Sequence, residues 1–300
     1  MNPVKCLLAL AVLESVSGLA AAHAAELRAV TSAAWEAYVR AADQRMQARV
    51  SGAAPFLWLD EAPGRSFRAK TDGVLVGPGM GNGTQNVPNG LIHHWIAVGF
   101  VPGATRASVL QVVHDYRNYK RVYSPPIIDS KVVSCGDDEQ CFSLRSLNRV
   151  LFVTAVFETQ CKAREFQVDA RRWYSMGGAT RVQEVENYGQ ADERMLAPGS
   201  GRGYLWGLHT ITRYEERDGG VYIEMEAIAL SRRVPVSLEW LVNPVIAKLS
   251  ENSLMTTVRQ TREAVMAATR AERRRSPGVG NNSPFVAITQ NRETASVSTK

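Results

Sequence analysis

No stretch of this chain approaches the ~20 uninterrupted apolar residues that a membrane-crossing helix needs. It is equally poor in the signatures of catalysis. A Gly-x-Ser-x-Gly elbow and a His-Glu-x-x-His helix are both missing, which removes the hydrolase and zinc-peptidase chemistries they serve. Histidines number five and cysteines four among 300 residues, and no second cysteine pair stands at ligand spacing, so neither a metal site nor a cofactor is expected. Charge of one sign is also scarce in the body. Of the net +6, the stretch from Arg270 to Lys300 carries +4, six Lys or Arg against two Asp or Glu. The remainder is near neutral and has no basic stripe interleaved with aromatics, so nucleic acid is not an expected partner. What is abundant is ordinary. With 45% hydrophobic and 21% charged residues, the chain has the means for one large or two small domains with a sizeable core.

The first 24 residues read as an export signal. Lys5 precedes an apolar run from Cys6 to Leu13, and small residues follow to Ala22-His23-Ala24, an A-x-A cleavage pattern. A frayed amphipathic helix docked on the domain is the plainer alternative. Cysteine usage agrees with export to the periplasm or medium. Cys135 and Cys141 flank a short polar loop between two strand-like runs, where a hairpin would hold their side chains close and an oxidising compartment would let them close into a disulfide. Two free thiols, or a metal, are the competing readings. Cys161, in an apolar strand, reads as a buried thiol.

After the signal, residues 25–90 form a helical extension and a connector. Trp35, Tyr38, Val39, Ala42, Met46 and Val50 make one stripe of a helix over Ser32–Val50, and Arg40, Asp43, Gln47 and Arg49 lie opposite. The Gly-Pro-Gly-Met-Gly-Asn-Gly-Thr segment lacks the lysine and following helix of a phosphate loop, so it reads as a turn-rich connector. Residues 91–270 are denser in pattern: a strand, a Thr105-capped helix, six strand-like runs, then helix. Asp218-Gly219 is a two-residue hairpin turn. It puts Trp206, Leu208, Thr210 and Thr212 on one face with Ile223, Met225, Ala227 and Ala229, while Arg213 opposes Glu224 on the other. Pro235 is expected to open a short helix through Lys248, kinked at Pro244, and Ser250 to cap a longer one through Ala268. Leu254, Val258, Thr261 and Val265 form its inward stripe. Residues 271–300 read as a disordered basic tail. The expected class is α+β: a curved seven-stranded antiparallel sheet wrapped around a long C-terminal helix, with an N-terminal helical extension.

Several of these segments look familiar together. His114-Asp115-Tyr116-Arg117-Asn118-Tyr119, then Tyr123-Ser124-Pro125 and the strand Ile128-Asp129-Ser130-Lys131-Val132-Val133, resemble the START-like, or SRPBCC, superfamily. Arg171-Arg172-Trp173-Tyr174-Ser175, Gly203-Tyr204-Leu205-Trp206 and the run Tyr214–Tyr222 look like an exported bacterial branch of it. The likeness covers roughly Leu91–Ala268. It implies a helix-grip fold with a cavity for a hydrophobic small molecule or lipid between sheet and terminal helix, and it transfers no catalytic residues.

The expected walls of that cavity are Trp206, Leu208, Thr210, Met225 and Ala227 from the sheet, with Leu254 and Val258 from the helix; a filled core is the plain alternative. Transient contact with a membrane accompanies the lipid reading. A cyclase- or aromatase-like enzyme using the same cavity, and a ligand-free scaffold, are the other function classes. His93 and His94, adjacent on a strand, must point to opposite faces, so at most one reaches the cavity. His209 shares a face with Arg213 and Glu226, which reads as an outward, salt-bridged surface. Asp115 and Glu165 stand alone in sequence, with nothing to pair them as acid and base.

Overall fold

The computed structural model describes residues 25–136, 138–150, 153–234 and 236–275. The export signal and all of the tail beyond Arg275 lie outside the described residues. The N-terminal part contains α1 (Ala29–Val50), a short 3-10 turn (Trp58–Glu61) and α2 (Arg65–Thr71). Strands β1 (Val74–Pro78), β2 (Thr84–Val87) and β3 (Gly90–Pro102) lead to α3 (Arg106–Val113) and α4 (Tyr119–Val122). Then follow β4 (Ile127–Val133), β5 (Gln140–Val150), β6 (Val153–Gln167), β7 (Arg172–Glu186), β8 (Arg194–Met195), β9 (Gly207–Arg217), β10 (Gly220–Arg232) and α5 (Val236–Arg275).

All pairings are antiparallel, in the order β1-β3-β10-β9-β7-β6-β5-β4. The seven expected strands are therefore present as one sheet, with the long terminal helix laid across it, and the fold is the expected α+β helix-grip. Three further strands extend it. The Gly-rich segment is more than a connector: β1 and β2 both pair with β3. Its glycines have a steric cause. A Cβ on Gly83 would meet the Trp95 indole at 2.5 Å, and the His94 ring lies just as close against Gly79.

The two faces of the sheet are covered differently. On the inner face, α5 lies over β1, β3 and β10 and against α3. It passes close at Gly99, where an added Cβ would come within 3.4 Å of Val258 Cγ1. Near the β9–β10 turn this face is solidly filled: Val101, Val109, Val112, Trp173, Tyr214, Val221, Ile223 and Val265 form one cluster. The Thr105–Ser108 capping box starts α3 as expected.

The outer face departs from expectation. The face bearing Arg213 and Glu224 reads in sequence as solvent-exposed, yet both side chains are fully buried. The N-terminal extension covers them. Tyr38, Ala42 and Met46 of α1, with Phe56, Leu57, Trp58 and Leu59, join Ile92, Ile96, Val98, Ile211, Tyr222 and Ile228 in a single core.

The terminal helix is also simpler than expected. It runs unbroken through Pro244 and Ser250 to Arg275, past the start assigned to the tail. Ser250 does not cap a new helix because its hydroxyl donates back to the Ile246 carbonyl at 3.0 Å. Thr257, Thr261 and Thr269 do the same to Ser253, Thr257 and Val265. Such back-bonding lets hydroxyl side chains sit within a helix.

Candidate functional site

Strand alternation sends every second residue of the central strands to the inner face. Register then aligns them in rows across the sheet. One row reads Trp95, Ala227, Thr210, Gly177, Ala163, Gln140; the next reads Ala97, Met225, Thr212, Ser175, Glu165. Ala227, Thr210, Gly177 and Ala163 in the first row and Thr212 and Ser175 in the second are small, and α5 lies mainly over the β1–β3–β10 side. The result is an asymmetry between faces. Met225, Ala227 and Ala229 on the inner face of β10 keep partial solvent access, although the alternate residues Glu226, Ile228 and Leu230 are buried. Leu208, Thr210, Gly177 and Ala163 are likewise only partly covered. These positions form a partly covered strip, called the trough below, on the inner face beside α5.

Of the residues expected to line a cavity, Met225, Ala227, Leu254 and Val258 are brought together, packed with Trp95 and Ala97. Thr210 stands directly opposite Ala227, and Leu208 opposite Ala229. Trp206 does not join them. It precedes β9, so strand alternation does not extend to it, and its indole packs with the outer-face core beside Trp35.

One end of the trough is polar in a way that sequence reading missed. Glu165 does not stand alone. Its carboxylate accepts from Arg106 Nη2 and pairs with His114 Nε2, both at 3.1 Å. His114 Nε2 is also 3.2 Å from Gln140 Nε2. That nitrogen serves one partner at a time, as a proton donor to Glu165 or as an acceptor from Gln140. Tyr116 donates to Gln140 Oε1 in a short hydrogen bond. Burial would raise the pKa of Glu165, but His114 and Arg106 outweigh it and hold the carboxyl below its usual range. Aromatic side chains wall this end: Tyr116 stacks on Phe142, and Tyr123 reaches α5, its hydroxyl 3.0 Å from Thr261 Oγ1. Burial pushes the phenols of Tyr116, Tyr119, Tyr123 and Tyr214 up, so they remain neutral donors. Cys161, a buried free thiol on the inner face, is pushed up to about 11 by burial. It is no nucleophile at neutral pH.

On the outer face, Tyr38 Oη meets His94 Nδ1 at 2.9 Å and His94 Nε2 meets Glu226 Oε1 at 2.8 Å. Arg213 then donates to Glu226 and to Glu224, both at 2.7 Å. Glu224 accepts the backbone N–H groups of Trp58 and Leu59 at 2.9 and 3.1 Å. This network clamps the N-terminal layer onto the sheet. His209 belongs to the same interface, bonded to Asp43 of α1 at 2.9 Å. A groove of about 420 Å³ opens on this side between Trp35 and Val39 of α1 and Lys162, Phe166 and Met176, and Ala163, Gly177 and Leu208 also contribute to its lining.

Cys135 and Cys141 are joined in a disulfide, their Cα atoms 5.9 Å apart. Among the described residues, no group of three or more His, Cys, Asp or Glu is placed to hold a metal ion, and no helix is long and apolar enough to cross a membrane.

No protein-family model and no curated sequence matches the chain. Solved structures similar to it include a STAR-related lipid transfer protein from Xanthomonas axonopodis, with 13% identity and a TM-score of 0.38 over 63% of this chain and 99% of that one. Human STARD10 has 11% identity and a TM-score of 0.40 over 72% of this chain and 83% of its own. The Zhui aromatase/cyclase from a Streptomyces species has 14% identity and a TM-score of 0.33 over 62% and 97%. Likenesses this distant add nothing to the fold described above, which rests on its own strand order and terminal helix.

Proposed function

We propose that this protein is an exported binding protein that holds a hydrophobic small molecule or lipid in the trough between the inner face and α5. The partial accessibility of Met225, Ala227, Ala229 and Thr210 beneath a helix, beside fully buried outer-face neighbours, carries this reading. Apolar surface withdrawn from water there is worth about 25 cal/mol per Å² to a ligand. The Cys135–Cys141 disulfide supports an oxidising compartment. Exchange of a lipid would require transient contact with a membrane.

The test pairs two measurements on Ala227→Trp. In a filled core the indole would overpack, at a cost of about 1–3 kcal/mol or more. In the trough it takes the ligand's place, so the unfolding midpoint should hold while the binding of a fluorescent fatty acid seen with wild type is lost. Destabilisation of the variant, combined with no binding by wild type, would overturn the reading in favour of a scaffold. A second reading, conversion of the bound compound in the manner of a cyclase, is favoured by one observation: the His114–Glu165–Gln140 cluster stands where the row of small residues ends. Turnover that disappears in His114→Ala would support it.

A further inference from the structure

The opposite end of that row and of the next one along β3 carries two buried polar atoms with nothing to bond. His93 and Trp95 occupy successive inner-face positions of β3, beside Ala229 and Ala227. Their side chains are 4% and 9% exposed. His93 Nδ1 and Trp95 Nε1 both lack a hydrogen-bond partner. Buried groups of this kind are ordinarily satisfied, so one left open marks where a ligand or water completes it.

The chemistry missing at each atom can be read from its neighbours. Burial pulls the His93 pKa down to about 4, so the ring is neutral at pH 7. Its Nε2 lies 2.9 Å from Ser231 Oγ, and that hydroxyl also stands as a donor 3.3 Å from the Arg232 carbonyl. With the Ser231 proton on that carbonyl, Ser231 accepts, Nε2 carries the imidazole proton, and Nδ1 is left as a bare acceptor, the tautomer on which the following proposal is built. The indole Nε1 of Trp95 can only donate. The pair thus calls for a group that gives one proton and accepts another.

Taking the trough reading above as its basis, we propose that His93 and Trp95 form a hydroxyl anchor: an alcohol or phenol on the ligand donates to His93 Nδ1 and accepts from Trp95 Nε1. The apolar body then extends along Ala227, Thr210, Gly177 and Ala163. An ether or ketone leaves His93 Nδ1 bare, because neither has a proton to give. A carboxylate fits worse, because it brings a charge to a neutral imidazole in a buried site. The preference is thus for hydroxylated amphiphiles over acids and over plain hydrocarbons.

The anchor is tested by displacing 1-anilinonaphthalene-8-sulfonate from the wild-type protein with decan-1-ol, 1-methoxynonane and undecane, which have equal numbers of heavy atoms. The alcohol should displace the dye at about tenfold lower concentration than the ether, the range expected when a buried donor and acceptor gain their partners. In His93→Phe and in Trp95→Phe that advantage should shrink to about twofold or less. Equal displacement by alcohol and ether in wild type would overturn the anchor, leave the trough standing, and assign the two atoms to bound water. An alcohol preference that survives both substitutions overturns it too. A wild-type protein that binds no dye, or releases it to none of the three, removes the hydrophobic-ligand reading and the anchor with it. The wild-type series discriminates these outcomes whether or not either variant folds.

Discussion

Replacing Arg213 with methionine should be among the costliest single changes in this protein. Arg213 is fully buried and is the one cation between two carboxylates on the outer face of β10. Its own pKa is raised, because the attraction of Glu224 and Glu226 outweighs the burial that would lower it. Without it, Glu224 keeps the Trp58 and Leu59 N–H groups and Glu226 keeps His94, but two negative charges then share a dry site. Removing one partner from a buried ionic cluster typically costs about 3–5 kcal/mol. For an ordered region of this size, each kcal/mol moves the midpoint by about 2–4 °C, so a fall of about 6–20 °C is expected at pH 7.

The pH dependence makes the cause identifiable. In wild type, burial would raise the Glu226 pKa, but His94 and Arg213 reverse that and hold it well below the usual value of 4.5. Its contribution is therefore present above pH 4.5 and is lost only as the pH falls further. In Arg213→Met the Glu226 carboxyl should move the other way, above 4.5. The deficit relative to wild type should then narrow as the pH drops from 7 toward 4.5 and a proton enters. Thermal unfolding followed by circular dichroism at pH 7, 6 and 5 measures this. Adding Glu224→Gln and Glu226→Gln to the variant should recover most of the loss at pH 7, since an uncharged, well-packed replacement of such a cluster is often neutral. A deficit below about 1 kcal/mol, or one that stays constant from pH 7 to pH 5, would refute the argument.

Two further outcomes are expected. Non-reducing peptide mapping should find Cys135 linked to Cys141, and converting both to serine should cost about 2 kcal/mol or less, because the loop they close is short; two freely alkylatable thiols would contradict the pairing. His93, whose pKa burial lowers to about 4, contributes stability that is complete above pH 6.5 and is lost as the pH falls from 6.5 to about 4, at most about 3 kcal/mol. His93→Phe should therefore have a flatter stability profile than wild type across that window, and parallel profiles would show that the imidazole is not buried in its neutral form.

The elements most legible in sequence were those whose partners are near in sequence or whose periodicity is complete. The Asp218-Gly219 turn fixed the β9–β10 register, so Arg213 opposite Glu224 and Thr210 opposite Ala227 followed by counting. The Leu254, Val258, Thr261 and Val265 stripe is the buried stripe of α5. What covers the other face was not legible. Alternating His209, Arg213, Glu224 and Glu226 look like a solvated surface, and the layer that buries them comes from residues far earlier, such as Trp58, which lies 166 positions from Glu224. The same limit hid Glu165, whose partners His114 and Arg106 are 51 and 59 positions away. Glycine misled for a different reason. In Gly77–Gly90 it signals a turn, whereas the structure uses it to let the rings of His94 and Trp95 come close against the segment that links β1 to β2.

The buried outer face also bears on how the trough can exist at all. A sheet that leaves the middle of one face open forgoes the packing that would fill it, and unfilled apolar volume is destabilising in proportion to its size. Here the deficit on the inner face is matched by closure on the outer one. There α1 and the Phe56–Leu59 segment give β3, β9 and β10 a second core, and the carboxylates of Glu224 and Glu226 within it are each hydrogen-bonded to Arg213. Under the proposed function, stability and binding fall on opposite sides of the same strands. Along β10, Glu224, Glu226, Ile228 and Leu230 are buried in the outer-face core, while Met225, Ala227 and Ala229 remain partly accessible. Substitutions at one set should therefore be readable without interference from the other, and that separation allows the trough and the clamp to be tested independently.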